Sequence, residues 1–360
     1  MLKRTDFPIF YLQGSPGERG RDYGLKCKHL IENSVAFYRR LFEDESGLSW
    51  QAAMDYAAQF KPYIADYDPE IMEEIEGIAS GAEKVLDEIL ALNTRTELMF
   101  LHKTHRPASC SSLTAMPETN PKGKIYLAQN WDWYRLSRDF CVVLCIDQED
   151  RPKILQTVEA GLIAKMGLNA AGIGLCTNAL VTDQWRIGVP YHVLLRGILN
   201  ARTLADAIGA VTKPKRASAG NYMIAHQDGL ALNLEASPLQ AHITRPEHGI
   251  MVHANHCKAP LSGEKDLIPS LWPDSIVRDL RLEQLLKRSA GCIDLETIMM
   301  ILRDHFDAPT SICTHPEAEL PPNEQSQSNA SMILDLQNLS MHLAKGLPCE
   351  HEFAEIQLHS

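Results

Sequence analysis

Up to Pro107, apolar residues recur at helical spacing. Leu25, Leu30, Val35, Phe37 and Leu41 predict a helix within 21–43, and the same period predicts helices over 50–63 and 69–101. Glu73, Glu74 and Glu76 form an acidic stripe on the last of these, which reads as a solvated face. After Pro107 the texture changes. Short β-like runs follow one another at 125–129, 140–146, 154–158, 162–168 and 172–177. Pro121-Lys-Gly123, Glu149-Asp-Arg-Pro152 and Asn169-Ala-Ala-Gly172 punctuate them and predict hairpins.

Helical spacing returns at 190–199 and at 203–211, the second opened by Thr203. Strands resume at 221–226, 230–236, 241–245 and 249–254. Helices over 271–287 and 294–306, an exposed polar loop at 317–329, and a hairpin of 332–336 with 340–344 complete the chain. Strands grouped in blocks, rather than alternating strictly with helices, predict an α+β fold with antiparallel sheets. Two sheets with helices on their outer faces accommodate this count.

Composition narrows the function. Of 360 residues, 45% are hydrophobic and 22% charged, as in an ordinary globular chain. A net charge of −11 offers no basic footprint for nucleic acid or an anionic membrane surface. Apolar runs such as Phe140 to Ile146 are strand-sized, whereas a membrane-spanning helix needs about 20 residues. The first residues carry positive charge but no apolar segment of a secretory signal behind it. Nine scattered cysteines, an odd number, make no disulfide framework. A reducing cytosol is the simplest compartment for them.

Three constellations carry candidate chemistry. Cys110 lies in Arg106-Pro-Ala-Ser-Cys-Ser-Ser-Leu113, where helical texture gives way to strand texture. A nucleophile at the leading edge of a strand is exposed on one side while its backbone stays fixed. The alternative is a buried thiol that behaves as a small hydrophobe. Asn130-Trp-Asp-Trp133 ends the next strand, and a hairpin brings Asp132 near the start of the Cys110 strand. Asp132 then reads either as a carboxylate turned toward the cysteine or as an exposed residue opening a loop. Met251-Val-His-Ala-Asn-His-Cys257 is polar immediately after an apolar strand. Asn255 is a candidate donor to an oxyanion. If this segment stays extended, His253 and Asn255 share a face and His256 takes the other. His253, His256 and Cys257 are alternatively zinc ligands with Cys313 and His315. Their spacing fits no common ligand pattern, and adjacent His256 and Cys257 diverge on a strand.

Gly167-Leu-Asn-Ala-Ala-Gly-Ile-Gly174 looks superficially like a phosphate loop. Strand-like residues follow it where such a loop needs a helix, so a hairpin turn between Leu168 and Ile173 is expected. No P-loop, HExxH, GxSxG or kinase signature occurs.

From Cys110 onward the chain resembles the acyl-coenzyme A:6-aminopenicillanic acid acyltransferase family of N-terminal nucleophile (Ntn) hydrolases. Cys110-Ser-Ser, Gln129-Asn-Trp-Asp132, Glu159 through Gly172, Gly188-Val-Pro-Tyr-His192, Glu235-Ala-Ser-Pro238, Val252 through Cys257 and Ser311-Ile-Cys313 carry the resemblance in order. It covers 110–345, with the helical head matching in length and character. It implies a four-layer αββα sandwich with an N-terminal helical segment. It implies a precursor that cuts itself at Ser109–Cys110, giving chains 1–109 and 110–360 that stay associated as one structural unit. By the same resemblance Cys110 is the nucleophile, Asn255 supports the oxyanion, Asp132 orients groups around the nucleophile, and Ser237 lies near the substrate. Trp133 and Tyr134, beside Asp132, are further candidate substrate-binding residues.

Two positions depart from the pattern. Penicillin-biosynthetic members have Gly before the nucleophile, and here Ser109 stands there. They also carry a late-strand Arg that pairs with the active-site Asp, where this chain has Ser328. Asp132 then needs another partner, for which Arg135 and Arg138 are the nearest candidates in sequence. The reading is a cytosolic cysteine amidohydrolase or acyltransferase acting on a small linear amide or acyl-CoA-type donor, with no cofactor and no metal. The alternatives are a metal-dependent hydrolase at His253, His256 and Cys257, or a degenerate scaffold of the same fold.

Overall fold

The computed structural model describes residues 5–101 and 109–358. Arg106, Pro107 and Ala108 of the cysteine motif therefore lie outside the described residues. Strand β1 (Ile9–Leu12) leads into a helical head of α1 (Pro16–Lys26), α2 (Lys28–Ser46), α3 (Trp50–Ala58), α4 (Lys61–Tyr67), α5 (Pro69–Ala82), α6 (Leu86–Asn93) and α7 (Arg95–Leu101). The three long helices expected here are broken at Cys27, at Gln59–Phe60 and between Ala82 and Leu86.

The break at Cys27 lets α1 lie flat on α5. Both helices present glycines at the contact. A Cβ on Gly20 would sit 2.2 Å from the Glu74 carbonyl, and one on Gly81 would sit 2.0 Å from the Arg21 carbonyl. Only glycine permits that approach. Glu74 is not solvated as expected: it is buried and paired with Arg19 at 2.6 Å and with Arg196 at 2.8 Å.

The strand block follows: β2 (Cys110–Ala115), β3 (Tyr126–Tyr134), β4 (Cys141–Ile146), β5 (Ile154–Glu159), β6 (Met166–Asn169) and β7 (Ile173–Ala179). β6 is shorter than the run at 162–168. Asn93 of α6 captures the preceding turn, donating to the Gly161 carbonyl and accepting from the Ile163 N–H at 2.8 Å. β6 and β7 form the expected hairpin, with Gly172 at φ +82°. Helices α8 (Tyr191–Leu199) and α9 (Leu204–Thr212) come next, and Thr203 caps α9 through the Asp206 N–H as predicted. Strands β8 (Gly220–His226), β9 (Leu230–Ala236), β10 (Ala241–Thr244) and β11 (Ile250–His253) precede α10 (Ile268–Leu271), α11 (Asp274–Arg288) and α12 (Leu295–Leu302). β12 (Ser326–Asp335), β13 (Ser340–Lys345) and β14 (Ala354–Gln357) close the chain.

These strands form two sheets. One has the order β1-β4-β5-β6-β7-β8-β9-β10, and the other β11-β2-β3-β12-β13-β14. Every pairing is antiparallel except β1 with β4. The sheets face each other: a Cβ on Gly174 of β7 would meet Leu334 and Leu336, at the end of β12. The head, α8 and α9 pack on the outer face of the first sheet in one apolar core that includes Ile31, Leu90, Val158 and Leu195. α11 and α12 cover the outer face of the second, where Leu282, Leu286, Ile298 and Ile301 meet Leu113, Ala128 and Ile333. The result is α+β and αββα. Among the described residues no helix is long and apolar enough to cross a membrane.

Candidate active site

β2 opens at Cys110, one strand in from the edge of the second sheet, between β11 and β3. In the β2–β3 register Cys110 faces Trp131, and residues directly opposite in a sheet share a face. Both side chains belong to the core between the sheets, with Cys110 3% exposed. The next residue of β3, Asp132, therefore turns its side chain to the other face. Its backbone stays beside Cys110: the Asp132 N–H donates to the Ser109 carbonyl at 2.9 Å. The hairpin expected from the sequence thus brings Asp132 and Cys110 together, through main chain rather than carboxylate.

The Ser109–Cys110 peptide is held at both ends. Its carbonyl accepts from Asp132, and the Cys110 N–H donates to Asn255 Oδ1 at 2.8 Å. Asn255 Nδ2 donates to the Ala179 carbonyl at 3.0 Å. A donor on one side and an acceptor on the other fix the orientation of this carboxamide. Its oxygen, not its amino group, faces Cys110, and one of the two Nδ2 hydrogens remains beyond the Ala179 bond. β11 ends at His253, so the extended alternation expected through His256 stops there. The N–H groups of Asn255 and His256 both donate to Ser275 Oγ, at 2.8 and 3.0 Å.

Arg278 is the cation of this centre, and the sequence did not point to it. Projecting from α11, it is 1% exposed. It donates to the Cys110 carbonyl at 2.7 Å, and to Ser111 Oγ and Asn255 Oδ1, each at 3.1 Å. Asp274, one turn earlier, accepts from its Nε. Arg135 and Arg138 are spent elsewhere, on Gln325 and on Asp139. The Asp132 carboxylate accepts instead from Ser328 Oγ at 2.6 Å and Thr314 Oγ1 at 3.0 Å. Ser328 stands opposite Asp132 on β12, so this serine takes up the aspartate that the sequence left without an evident partner.

Electrostatics follow from burial. Desolvation pushes Asp132 up to about 7, opposed by Arg278 and by the two hydroxyl donors. It pushes the Cys110 thiol up to about 11, with Lys165 pulling down and the Asp132 carboxylate pushing up. Lys165 is itself driven down to about 8, by burial and then by Arg95. Its ammonium lies 4.2 Å from the Trp131 ring centroid. A lone lysine inside Leu162-Ile-Ala-Lys-Met was the available signal in the sequence.

The remaining expected residues have protein partners. Trp133 Nε1 donates to Tyr38 at 2.9 Å, and the Arg95 guanidinium lies 4.6 Å from its ring centroid. Tyr134 donates to Glu45 at 2.6 Å. Ser237 turns the chain between β9 and β10, its Oγ accepting from the N–H groups of Leu239 and Gln240, each at 3.1 Å. His253 is fully buried and bonded to Glu235 at 2.7 Å. Among the described residues His253, His256 and Cys257 form no metal-ligating group; Cys313 and His315 converge instead with His305 and Cys349.

Residues 119–321 match the model of the acyl-coenzyme A:6-aminopenicillanic acid acyl-transferase family, more than half of the chain. The chain belongs to that acyltransferase family. The 40 kDa form of acyl-coenzyme A:6-aminopenicillanic-acid-acyltransferase from Emericella nidulans is 29% identical over 306 residues, 84% of this chain and 83% of the relative. Among solved structures, penicillin V acylase from Agrobacterium tumefaciens overlays with a TM-score of 0.44 at 9% identity, covering 66% of this chain and 83% of that one. A single-residue variant of conjugated bile acid hydrolase from Clostridium perfringens overlays at 0.47 with 11% identity, covering 69% and 92%. An arginine one turn after an aspartate on an amphipathic helix resembles any surface pair, which is why no pattern in the sequence marked Arg278.

Proposed function

We propose that this protein is a self-processing, N-terminal-cysteine amidohydrolase or acyltransferase acting on a small linear amide or an acyl-CoA-type donor. The observation that carries the reading is the Ser109–Cys110 peptide bond, with its carbonyl on an Asp132 N–H and its N–H on Asn255. Cys110 Sγ attacks the Ser109 carbonyl carbon, the C–N bond breaks, and the nitrogen takes a proton to become the Cys110 α-amine. Water then hydrolyses the thioester, leaving a Ser109 carboxylate and a free thiol. Residues 1–109 and 110–360 remain one body through the buried Arg95–Glu159 pair and the Tyr38–Glu159 bond.

The cut supplies a base on the nucleophilic residue itself. A thiol held near 11 is almost entirely protonated at neutral pH. A free α-amine has a reference pKa of about 7.7–8.0 and takes that proton on the same residue. Lys165, near the thiol, favours the thiolate further. The thiolate adds to the substrate carbonyl, the amine or thiol leaves, and an acyl-enzyme forms. Water or a second amine then releases the acyl group. The spare Nδ2 hydrogen of Asn255 is the oxyanion donor. Asp132 and Arg278 are positioning residues, acting through the backbone on either side of the sulfur.

A thiol-directed electrophile tests the reading. Iodoacetamide should modify Cys110 once per active site and abolish turnover of a panel of acyl-CoA thioesters and simple amides. Full turnover by a protein alkylated at Cys110 would dismiss the nucleophile.

A further inference from the structure

A second cluster lies on the outer edge of the six-stranded sheet and takes no part in the chemistry above. His305 follows α12, Cys313 and His315 lie in the loop before β12, and Cys349 lies in the turn between β13 and β14. Their four ligand atoms all fall within 4.8 Å of one another. Cys313 Sγ is 3.7 Å from Cys349 Sγ and 3.7 Å from His315 Nε2. Cys349 Sγ is 3.4 Å from His315 Nε2, which is 3.0 Å from His305 Nε2. A tetrahedral zinc ion with bonds of about 2.3 Å to sulfur and about 2.0 Å to nitrogen needs ligand-to-ligand edges of about 3.3–3.8 Å. The cluster is thus close to the size of that shell. A disulfide needs sulfurs about 2.05 Å apart, far closer than this pair.

We propose that His305, Cys313, His315 and Cys349 bind one zinc ion. Two thiolates and two imidazoles are a soft, tetrahedral donor set that favours zinc over magnesium or calcium. Four protein ligands leave no open position for water or substrate, so the ion is structural. Binding releases the two thiol protons.

Backbone and side-chain hydrogen bonds already hold the three ligand-bearing segments together. The Cys313 N–H donates to the Asp304 carbonyl at 3.0 Å, and the Asp304 carboxylate holds Arg281 and the Phe306 N–H. Arg303 donates to the Pro348 carbonyl, next to Cys349, at 2.7 Å.

The ion has a consequence for Asp132. Thr314 lies between two ligands, and its hydroxyl donates to Asp132 Oδ2. Its N–H donates to Ser328 Oγ at 3.1 Å, the hydroxyl that serves Asp132 Oδ1. Zinc therefore pins the loop that bonds Asp132 Oδ2 directly and, through Ser328 of β12, supports the donor to Oδ1. This second clause rests on the function proposed above; the metal site does not.

Metal analysis of the full chain, expressed with zinc in the medium and purified under reducing conditions, tests the site. About one zinc per chain is expected in the wild type and in Cys110→Ala, and little in Cys349→Ser. Cobalt added to stripped wild type should give thiolate-to-cobalt charge transfer and the visible bands of a tetrahedral S₂N₂ site, whether or not Cys349→Ser folds. A wild type free of metal and silent toward cobalt overturns the proposal. So does a Cys313–Cys349 disulfide in the protein as purified. If the Asp132 clause holds, Cys349→Ser slows self-cleavage several-fold; zinc bound with cleavage unaffected in that variant removes the clause and leaves the site.

Discussion

Cys110 and the Cys313–Cys349 pair place the same side chain in opposite surroundings. Cys110 is buried with a lysine ammonium nearby, and backbone amides, an asparagine and an arginine organise its main chain. That setting repels a metal cation and favours a thiolate once a base is available. Cys313 and Cys349 sit beside each other with two imidazole nitrogens, a donor set that attracts one. What a cysteine does is decided by the charge and donor count around it, and neither is visible at the cysteine itself.

Replacing each thiol breaks the comparison in a different way. Cys110→Ala should leave a single uncut chain on a denaturing gel and reduce acyl turnover to background, while still holding metal. This is the largest effect expected. An active Cys110→Ala protein would move the chemistry to another residue.

Arg278→Leu removes the donors to the Cys110 carbonyl, Ser111 and Asn255 and leaves Asp274 without its cationic partner. Removing one partner of a buried ion pair costs about 3–5 kcal/mol, and Asp274 is partly solvated, so a loss near 3 kcal/mol in denaturant unfolding is expected. The same variant should push Asp132 above its present value of about 7, because Arg278 is the first group opposing burial there. An unchanged unfolding midpoint would show that the arginine is dispensable to this site.

Asn255→Ala should lower both self-cleavage and kcat by about 10²–10³, with KM changed far less. His256 lies beside it but bonds Ser275, so His256→Ala should leave kcat within a few-fold of wild type. The reverse ranking in folded proteins would reassign the oxyanion donor.

Lys165→Met gives the smallest change, read best against pH. Burial holds Lys165 near 8 rather than 10.5, so above pH 8 the unfolded chain binds more protons than the folded one. The Lys165 contribution to stability should therefore rise between pH 8 and about 10.5, seen as a wild-type slope more positive than that of Lys165→Met. Its thiol should also titrate higher, shifting the alkaline limb of iodoacetamide labelling upward. Identical slopes for the wild type and Lys165→Met over that range would place the ammonium in water.

Much of this architecture could be read from alternation and turn residues. The Cys110–Trp131 hairpin, the Asn169–Gly172 turn and the Thr203 cap depend on local pattern, and all three formed as expected. β1 and β14 did not stand out. Each is four residues long and is made a strand by its neighbour, β4 or β13. The glycine contact of α1 with α5 was equally silent, since close approach of two helices leaves no period in either sequence.

The site divides along the same line. Cys110, Asp132 and Asn255 lie in segments whose order in the chain carried the resemblance. Ser328 was legible at the position of the arginine that the resemblance implies, whereas Arg278, Thr314 and Lys165 reach the centre from α11, a loop and a turn, and only the packing of the layers makes them neighbours. Cys313 and His315 were visible as candidate ligands, but assigned to the wrong companions. His305 is separated from Cys313 by a loop, and Cys349 by two strands, so the spacing resembles no compact zinc motif.

Intact-mass and N-terminal analysis of the purified protein tests the central claim most directly. Two polypeptides, 1–109 and 110–360 with Cys110 as the free N-terminal residue of the second, are predicted for the wild type, and one chain for Cys110→Ala. A fully active wild type that remains a single uncut chain would contradict it.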